Sequence, residues 1–254
     1  HYTIDYTKQF KELIIDNFTD EYFAGRTPNP CIRCNTYMKW GELYKLAKQL
    51  EADYIATGHY ARIVYENDSN SCSLMKGVDG SKDQSYALWG IKYELLKHTI
   101  FSLGELRKDE IRRILKDADV YFAEKAESQE ICFIPDNNLE GFLNDAAAER
   151  NSHISEGDIV SAAGDKIGRH KGFIHYTIGQ RKGLGISHPE PLYVKKLNAH
   201  DNTITVSESK GLKAASFTVN RLNWLIPEPD ERSGTDFHVK IRYRHKASPA
   251  KCII

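Results

Sequence analysis

Along the first half of the chain, apolar residues recur with the period of a helix. Tyr6 to Phe18 reads as a helical segment. Leu43, Leu46, Ala47 and Leu50 fall at i, i+3, i+4 and i+7, on one face of a helix running from Met38 to Leu50. Asp53 to Thr57 follows as a short buried strand, which completes an α/β unit. Ile111, Ile114, Leu115 and Ala118 repeat the helical spacing, with Asp109 and Glu110 near the start, where the macrodipole favours negative charge. Between these helices, Ala61 to Tyr65 and Ser73 to Lys76 predict a hairpin joined by the turn-rich Glu66-Asn67-Asp68-Ser69-Asn70.

After about residue 150 the helical period gives way to short runs rich in β-branched and aromatic residues. Phe173 to Ile178, Leu192 to Leu197, Thr203 to Ser207, Phe217 to Leu225 and Phe237 to Tyr243 predict strands of small β-domains. Asn198-Ala199-His200-Asp201-Asn202 predicts a hairpin turn. Ile226-Pro227-Glu228-Pro229-Asp230 predicts a loop, because proline cannot donate to a ladder. No internal repeat interrupts this order.

The 254 residues are enough for two domains, and 41% hydrophobic with 28% charged residues is an ordinary globular composition. No apolar run approaches the roughly 20 residues that cross a bilayer, and the first residues lack the basic and apolar regions of a signal peptide. A cytoplasmic address without membrane attachment is expected. The formal charge is zero, yet after residue 150 Lys and Arg number 16 against 10 Asp and Glu, which leaves 19 against 25 before it. The second half is therefore the better candidate for a polyanion, although a surplus of this size also fits a solvated surface. Five cysteines, an odd number, do not suit a secreted disulfide framework, so each is a packed thiol, a ligand or a reagent.

The stretch from Gly25 to Asn35, Gly-Arg-Thr-Pro-Asn-Pro-Cys-Ile-Arg-Cys-Asn, carries a stiff loop into a Cys-x-x-Cys pair ahead of the Met38 helix. A thiol near a helix N-terminus and beside Arg33 has a lowered pKa, and the thiolate is the nucleophile. Half of a zinc site and a packed thiol pair are the competing readings, and no second Cys-x-x-Cys completes a zinc site. Cys132, between Ile131 and Phe133, points away from both neighbours if the segment is a strand; read in isolation it is a buried, inert thiol. Cys72 and Cys252 have no catalytic context.

Thr57-Gly58-His59-Tyr60 closes the first strand, at the end where ligands collect in an α/β sheet. Gly58 permits close approach there, and His59 is either a ligand to phosphate or base or a satisfied core residue. In Gly80-Ser81-Lys82-Asp83-Gln84-Ser85-Tyr86, Asp83 or Ser81 suits a helix cap, and Lys82 with Gln84 suits RNA phosphate and base edges. Gly179-Gln180-Arg181-Lys182-Gly183-Leu184-Gly185 has neither P-loop nor dinucleotide spacing and reads as an exposed basic turn. Lys240-Ile241-Arg242-Tyr243-Arg244-His245-Lys246, as a strand, forms one basic face with an aromatic beside it, which suits RNA.

In order and over nearly the whole chain, these stretches resemble the tRNA-specific 2-thiouridylase (MnmA/TrmU) family: Gly25 to Pro30 with Cys34-Asn35, Ala56 to Tyr60, Lys82 to Tyr86, Ile131 to Ile134, Gly179 to Gly185 and Ile241 to Arg244. The resemblance implies an α/β fold, an ATP-pyrophosphatase-like (adenine nucleotide alpha hydrolase-like) domain at 1–145, then a small central β-rich domain at 146–211 and part of a C-terminal β-barrel at 212–254. It implies that Cys132 receives persulfide sulfur from a sulfur-carrier or cysteine desulfurase-type donor protein, that Cys34 is its catalytic partner, and that the two form a disulfide in turnover. ATP with Mg2+ is the implied co-substrate, touched by Gly58. Asn29, Pro30 and Cys31 match the loop that meets the target base. His59, Lys82, Asp83, Gln84, Arg242 and Tyr243 match tRNA contacts, and no structural metal is implied.

The chain begins downstream of the place expected for the family's Ser-Gly-Gly-x-Asp-Ser phosphate loop, and the end of the barrel is expected to be missing. Cys31 stands where the family pattern has Asp. A tRNA sulfurtransferase is the resulting expectation. A catalytically silent tRNA-binding fragment and a zinc-stabilised RNA module are the alternatives.

Overall fold

The computed structural model describes all residues except 67–70, 121–130, 227–233, 244 and 254. In chain order it has helical α1 (Thr7–Phe10), a π-type stretch Lys11–Ile15, α2 (Asp16–Phe23), α3 (Pro30–Arg33), a second π-type stretch Cys34–Leu43 and α4 (Tyr44–Gln49). Then come β1 (Ile55–Thr57), β2 (Ala61–Tyr65), β3 (Cys72–Lys76), α5 (Tyr93–Leu96), β4 (Thr99–Phe101), α6 (Lys108–Asp117) and α7 (Leu139–Glu149). The rest is β-rich: β5 (Gly157–Val160), β6 (Lys166–His170), β7 (Leu192–Asn198), β8 (Thr203–Glu208), β9 (Thr235–Val239) and β10 (Ser248–Cys252). The chain divides into two compact units, one of residues 1–34 with 127–220, the other of 35–126 with 221–254.

In the first unit, Ile14, Phe18 and Tyr22 recur every fourth residue and are buried, so the opening helical run presents one apolar face. That face packs in a cluster with Ile134, Leu143 and Ile174. Leu143 and Ala147 are the buried face of α7, and Asn138 caps this helix by accepting the Gly141 amide at 2.9 Å. Arg150, just past its end, donates to the Asp20 carboxylate at 2.6 Å. The β-part is a four-stranded sheet in the order β6-β5-β8-β7, with β5 and β8 parallel and the outer pairs antiparallel. Alternate residues Ile204 and Val206 of β8 and Val194 of β7 close its core with Ile159.

In the second unit, β1 pairs in parallel with β4, as an α/β unit requires, and β2 with β3 form the antiparallel hairpin. Trp40, Ile55, Leu88, Ile91 and Leu96 form the core, and the Trp40 indole donates to Thr99 Oγ1 at 2.7 Å. α6 starts with Glu110 accepting the Arg107 amide at 2.7 Å, as its acidic first turn suggests. β9 and β10 make a further antiparallel pair.

Several expectations are corrected. The helix after the proline loop begins at Pro30 rather than Met38, because Asn29 caps it there. Phe173 to Ile178 is no strand: Gly172, at φ +129°, turns the chain into a 3-10 turn at Phe173–His175, and the alternating burial of Ile174 and Tyr176 imitates a strand pattern. Phe217 to Leu225 forms no strand either, since Phe217, Val219 and Leu222 are exposed and Arg221 sits at φ +54°. The strand expected from Phe237 to Tyr243 stops at Val239. Most of the Glu66 to Asn70 connection, residues 227–230 of the proline loop and Arg244 lie outside the described residues. α7, β5 and β6 were not expected: α7 buries only Leu143 and Ala147, too few positions to mark an apolar face, and the two strands combine short length with mixed polarity.

Candidate functional site

The first unit carries three of the five cysteines: Cys31, Cys34 and Cys132. Gly25, at φ +72°, ends α2 in the left-handed conformation that glycine adopts freely, with its amide bonded to Tyr22 O and the Arg26 amide to Glu21 O. The loop then reaches Asn29, whose extended backbone (φ −115°, ψ 97°) brings Oδ1 to 3.2 Å from the Cys31 amide and 3.4 Å from the Ile32 amide. Pro30 occupies the first helical position, where its missing N–H costs nothing, and is buried. Cys31 is exposed and Cys34 half-buried, one helical turn apart. Arg33 turns back to donate from Nε to the Leu13 carbonyl at 3.0 Å, so it pins this helix to the preceding one.

Cys132 corrects its expectation twice. It lies in a turn closed by Ile134 N to Ile131 O at 3.0 Å rather than in a strand, and it is exposed rather than buried. Its neighbours explain this. Ile134 is buried, and the Phe133 ring meets Phe10, Phe18 and Phe142 at centroid distances of 5.9, 5.3 and 5.6 Å. The first two are edge-to-face and the third tilted, and such aromatic pairs anchor the turn by about 0.5–1.5 kcal/mol each beyond burial. With both following side chains committed to the core, the thiol faces outward.

In the second unit, His59 follows β1 and is buried. Its Nδ1 lies 2.8 Å from Thr57 Oγ1 and its Nε2 3.4 Å from Lys39 Nζ. The rings of Trp40 and Phe101 flank it at 5.7 and 6.0 Å. Burial, reinforced by the Lys39 charge, lowers its pKa to about 4, so the imidazole is neutral at physiological pH. Of the two readings of this residue, the buried and satisfied one describes its place here. At Gly58 a Cβ would meet Leu103 Cδ1 at 3.4 Å, an ordinary contact, so packing alone does not demand glycine.

Two separate stretches of the second unit come together around Asp83. Its Oδ1 accepts the amides of Gly77 (3.2 Å) and Ser85 (3.1 Å), and its Oδ2 accepts the Ser85 hydroxyl (3.0 Å). Gln84 and Tyr60 exchange two bonds, Tyr60 N to Gln84 Oε1 at 3.0 Å and Gln84 N to Tyr60 O at 2.9 Å. Onto this turn docks the segment after β9: Tyr243 OH donates to Asp83 O at 3.1 Å, and Tyr86 OH to Ile241 O at 3.2 Å. The Lys240 ammonium lies over both rings, 5.6 Å from Tyr86 and 5.0 Å from Tyr243. Among the described residues of the basic run, Ile241 to Tyr243 form a bend and turn rather than a strand, and His245 N bonds Arg242 O at 3.0 Å, so Lys240 and Arg242 are not aligned by strand alternation. Lys82, Asp83 and Gln84 are thus brought beside Arg242 and Tyr243, with Arg242 exposed.

The Gly179 to Gly185 stretch is a rigid turn in the first unit. Gly179, Gly183 and Gly185 all have positive φ, Leu184 is buried, and Gln180 bonds Thr177 N and Lys182 O at 3.0 Å each. Among the described residues neither Arg181 nor Lys182 has an acidic partner, which fits the exposed basic turn. Also among the described residues, no group of three or more His, Cys, Asp and Glu side chains is arranged to hold a metal, and no helix is long and apolar enough to cross a membrane. Lys39 escaped the sequence reading, because a single lysine between Met38 and Trp40 carries no signal until the fold sets it against His59.

The family profile described as tRNA methyl transferase HUP domain matches residues 1–136, and that described as tRNA methyl transferase PRC-barrel domain matches 141–208. The tRNA-specific 2-thiouridylase MnmA of Geotalea uraniireducens is 44% identical over 252 residues, 99% of this chain and 66% of the relative. That of Natranaerobius thermophilus is 43% identical over 245 residues, 96% and 66%, and that of Lachnoclostridium phytofermentans 41% over 254, 100% and 69%. The chain spans about two thirds of the length of these curated relatives. The fold is accordingly an α/β HUP-type domain followed by a PRC-barrel domain.

Proposed function

The chain belongs to the tRNA-specific 2-thiouridylase family, and from that premise we propose that it takes part in the ATP-dependent exchange of oxygen for sulfur on carbon 2 of the wobble uridine of tRNA. Uracil oxygen is a poor leaving group. ATP, with Mg2+, adenylates it and releases pyrophosphate, at a site to which Gly58 belongs. The terminal sulfur of a persulfide on Cys132, loaded by a donor protein, then bonds to carbon 2 as AMP departs. Attack of the Cys34 thiolate on the Cys132 sulfur breaks the S–S bond, leaves the transferred sulfur on the base and creates a Cys34–Cys132 disulfide.

In this reading Asn29, Pro30 and Cys31 border the target base. Lys82 and Arg242 supply charge to the tRNA backbone, and Tyr243 supplies a stacking face. Asp83 and His59 act by shaping the surface their neighbours present, since their polar atoms are engaged within the unit, whereas Gln84, held through its Oε1 by the Tyr60 amide, offers its side-chain NH2 to the tRNA. Residues 1–145, 146–211 and 212–254 serve as activating, central and barrel portions, in the cytoplasm. What supports the proposal is that a half-buried thiol on an Asn-capped helix and an exposed thiol on an anchored turn belong to the same compact unit.

The test is mass spectrometry of wobble nucleosides after reaction of the full-length gene product with ATP, tRNA and a persulfide donor. Wild type yields 2-thiouridine and Cys132→Ser yields none. Thiolation persisting in Cys132→Ser removes the sulfur-carrier assignment.

A further inference from the structure

Cys31 adds something to this chemistry that the two-thiol scheme does not contain. The scheme ends with Cys34 locked in a disulfide, and a second thiol stands one turn away on the same helix. Helical geometry sets residues i and i+3 about 5 Å apart between Cα atoms, inside the roughly 4.4–6.8 Å window of disulfides. Cys34 holds helical dihedrals (φ −59°, ψ −45°), and the helix start is fixed by the Asn29 cap and the Arg33 to Leu13 bond. The Cβ atoms of such a pair, about 5–6 Å apart, need to close by only about 1–2 Å, a small adjustment in a first helical turn. Exposure is unequal in a useful way, because Cys31 is open to solvent and Cys34 half-buried. The two remaining thiols do not compete: Cys72 is buried in the hairpin, and Cys252 is half-buried in the other unit.

Resting on the sulfur-transfer reading above, we propose that Cys31 is a resolving thiol that releases Cys34 from its disulfide with Cys132 and hands the oxidation to the surface. The Cys31 thiolate attacks Cys34 Sγ, one S–S bond forms as the Cys34–Cys132 bond breaks, and Cys132 leaves as thiolate with no net oxidation. Cys132 is then free to accept another sulfur. The Cys31–Cys34 disulfide is reduced by an external dithiol, which attacks the exposed Cys31 sulfur. The dithiol supplies two electrons and two protons and leaves as its own disulfide.

The chain is equilibrated in a glutathione redox buffer, quenched with acid, alkylated and digested with trypsin. Cleavage after Arg33 separates Cys31 in peptide 27–33 from Cys34 in 34–39, with Cys132 in 126–150. Wild type should give 27–33 linked to 34–39 and Cys132 alkylated, whereas Cys31→Ser should give 34–39 linked to 126–150. Wild type with 34–39 linked to 126–150 and Cys31 alkylated overturns the relay. Cys31→Ser showing no Cys34–Cys132 link, while wild type links Cys31 to Cys34, overturns instead the sulfur-transfer reading beneath it. In the full-length gene product, Cys31→Ser should lower the ratio of the later-turnover rate to the first-turnover rate with a dithiol reductant at least about tenfold relative to wild type, whatever the substitution does to the first turnover itself. A ratio equal to that of wild type refutes the role.

Discussion

The ammonium of Lys39 stands 3.4 Å from Nε2 of His59, while Nδ1 of the same ring meets the Thr57 hydroxyl at 2.8 Å. An ammonium has only protons to give, so Nε2 accepts and Nδ1 carries the ring hydrogen. Protonating Nε2 would set two cations against each other in a buried site. Burial first, and then this repulsion, hold the folded pKa at about 4, below the ordinary 6.5. Between those values the unfolded chain binds more protons, so the stability this neutral ring carries is complete above about pH 6.5 and is lost as pH falls towards 4. The loss amounts to about 2–3 kcal/mol. His170 and His175 are also lowered by burial and add to the same slope. Urea unfolding at pH 7 and pH 4.5 should show His59→Gln losing about 2–3 kcal/mol less than wild type over that interval. An equal loss in both proteins would show that His59 does not titrate between them.

Asp83 and Lys82, adjacent in sequence, should separate stability from binding. Asp83 is buried and accepts three hydrogen bonds, so Asp83→Ala leaves two amides and a hydroxyl without their acceptor. The expected cost is about 2–4 kcal/mol, with weakened tRNA binding following from the displaced Tyr243 dock. Lys82→Ala should weaken tRNA binding while shifting stability by less than about 0.5 kcal/mol. Denaturant midpoints beside filter-binding affinities make the comparison. Normal stability in Asp83→Ala would mean that the carboxylate is not the organiser of the turn.

How far the sequence could be read depended on where each signal lives. The hairpin β2–β3, the parallel β1 and the β7–β8 hairpin with its Asn198 turn declare themselves, because alternation and turn chemistry are local. Phe173 to Ile178 misled because Ile174 and Tyr176 are buried at strand spacing inside a 3-10 turn. Cys132 was legible as a residue of interest only through its family motif. Its exposure is decided by Phe133 packing on Phe10 and Phe18, more than a hundred positions away. The Tyr86, Lys240 and Tyr243 stack likewise joins segments that no periodicity links.

Asn29 gives the helix of the two thiols its start, through bonds of 3.2 and 3.4 Å to the Cys31 and Ile32 amides. Asn29→Ala should destabilise the first unit by about 0.5–2 kcal/mol, and Asn29→Asp, which keeps the acceptor, by much less. Hydrogen exchange at the Cys31 and Ile32 amides should accelerate in the alanine variant alone. Unchanged protection there would remove the side chain from the cap.

Arg242 tests the proposed tRNA surface through salt rather than through affinity alone. It is exposed in the turn that docks on Asp83 through Tyr243, whereas Lys240 is committed to the faces of Tyr86 and Tyr243. A cation on a phosphate releases condensed counterions, so its removal lowers the slope of log affinity against log salt by about 0.7–0.9. Arg242→Ala should therefore bind tRNA more weakly at low salt and with a slope reduced by about that amount. Lys240→Met should lower the slope less and instead loosen the turn, read as weaker quenching of Tyr86 and Tyr243 fluorescence. If Arg242→Ala keeps the wild-type slope, that guanidinium does not meet phosphate.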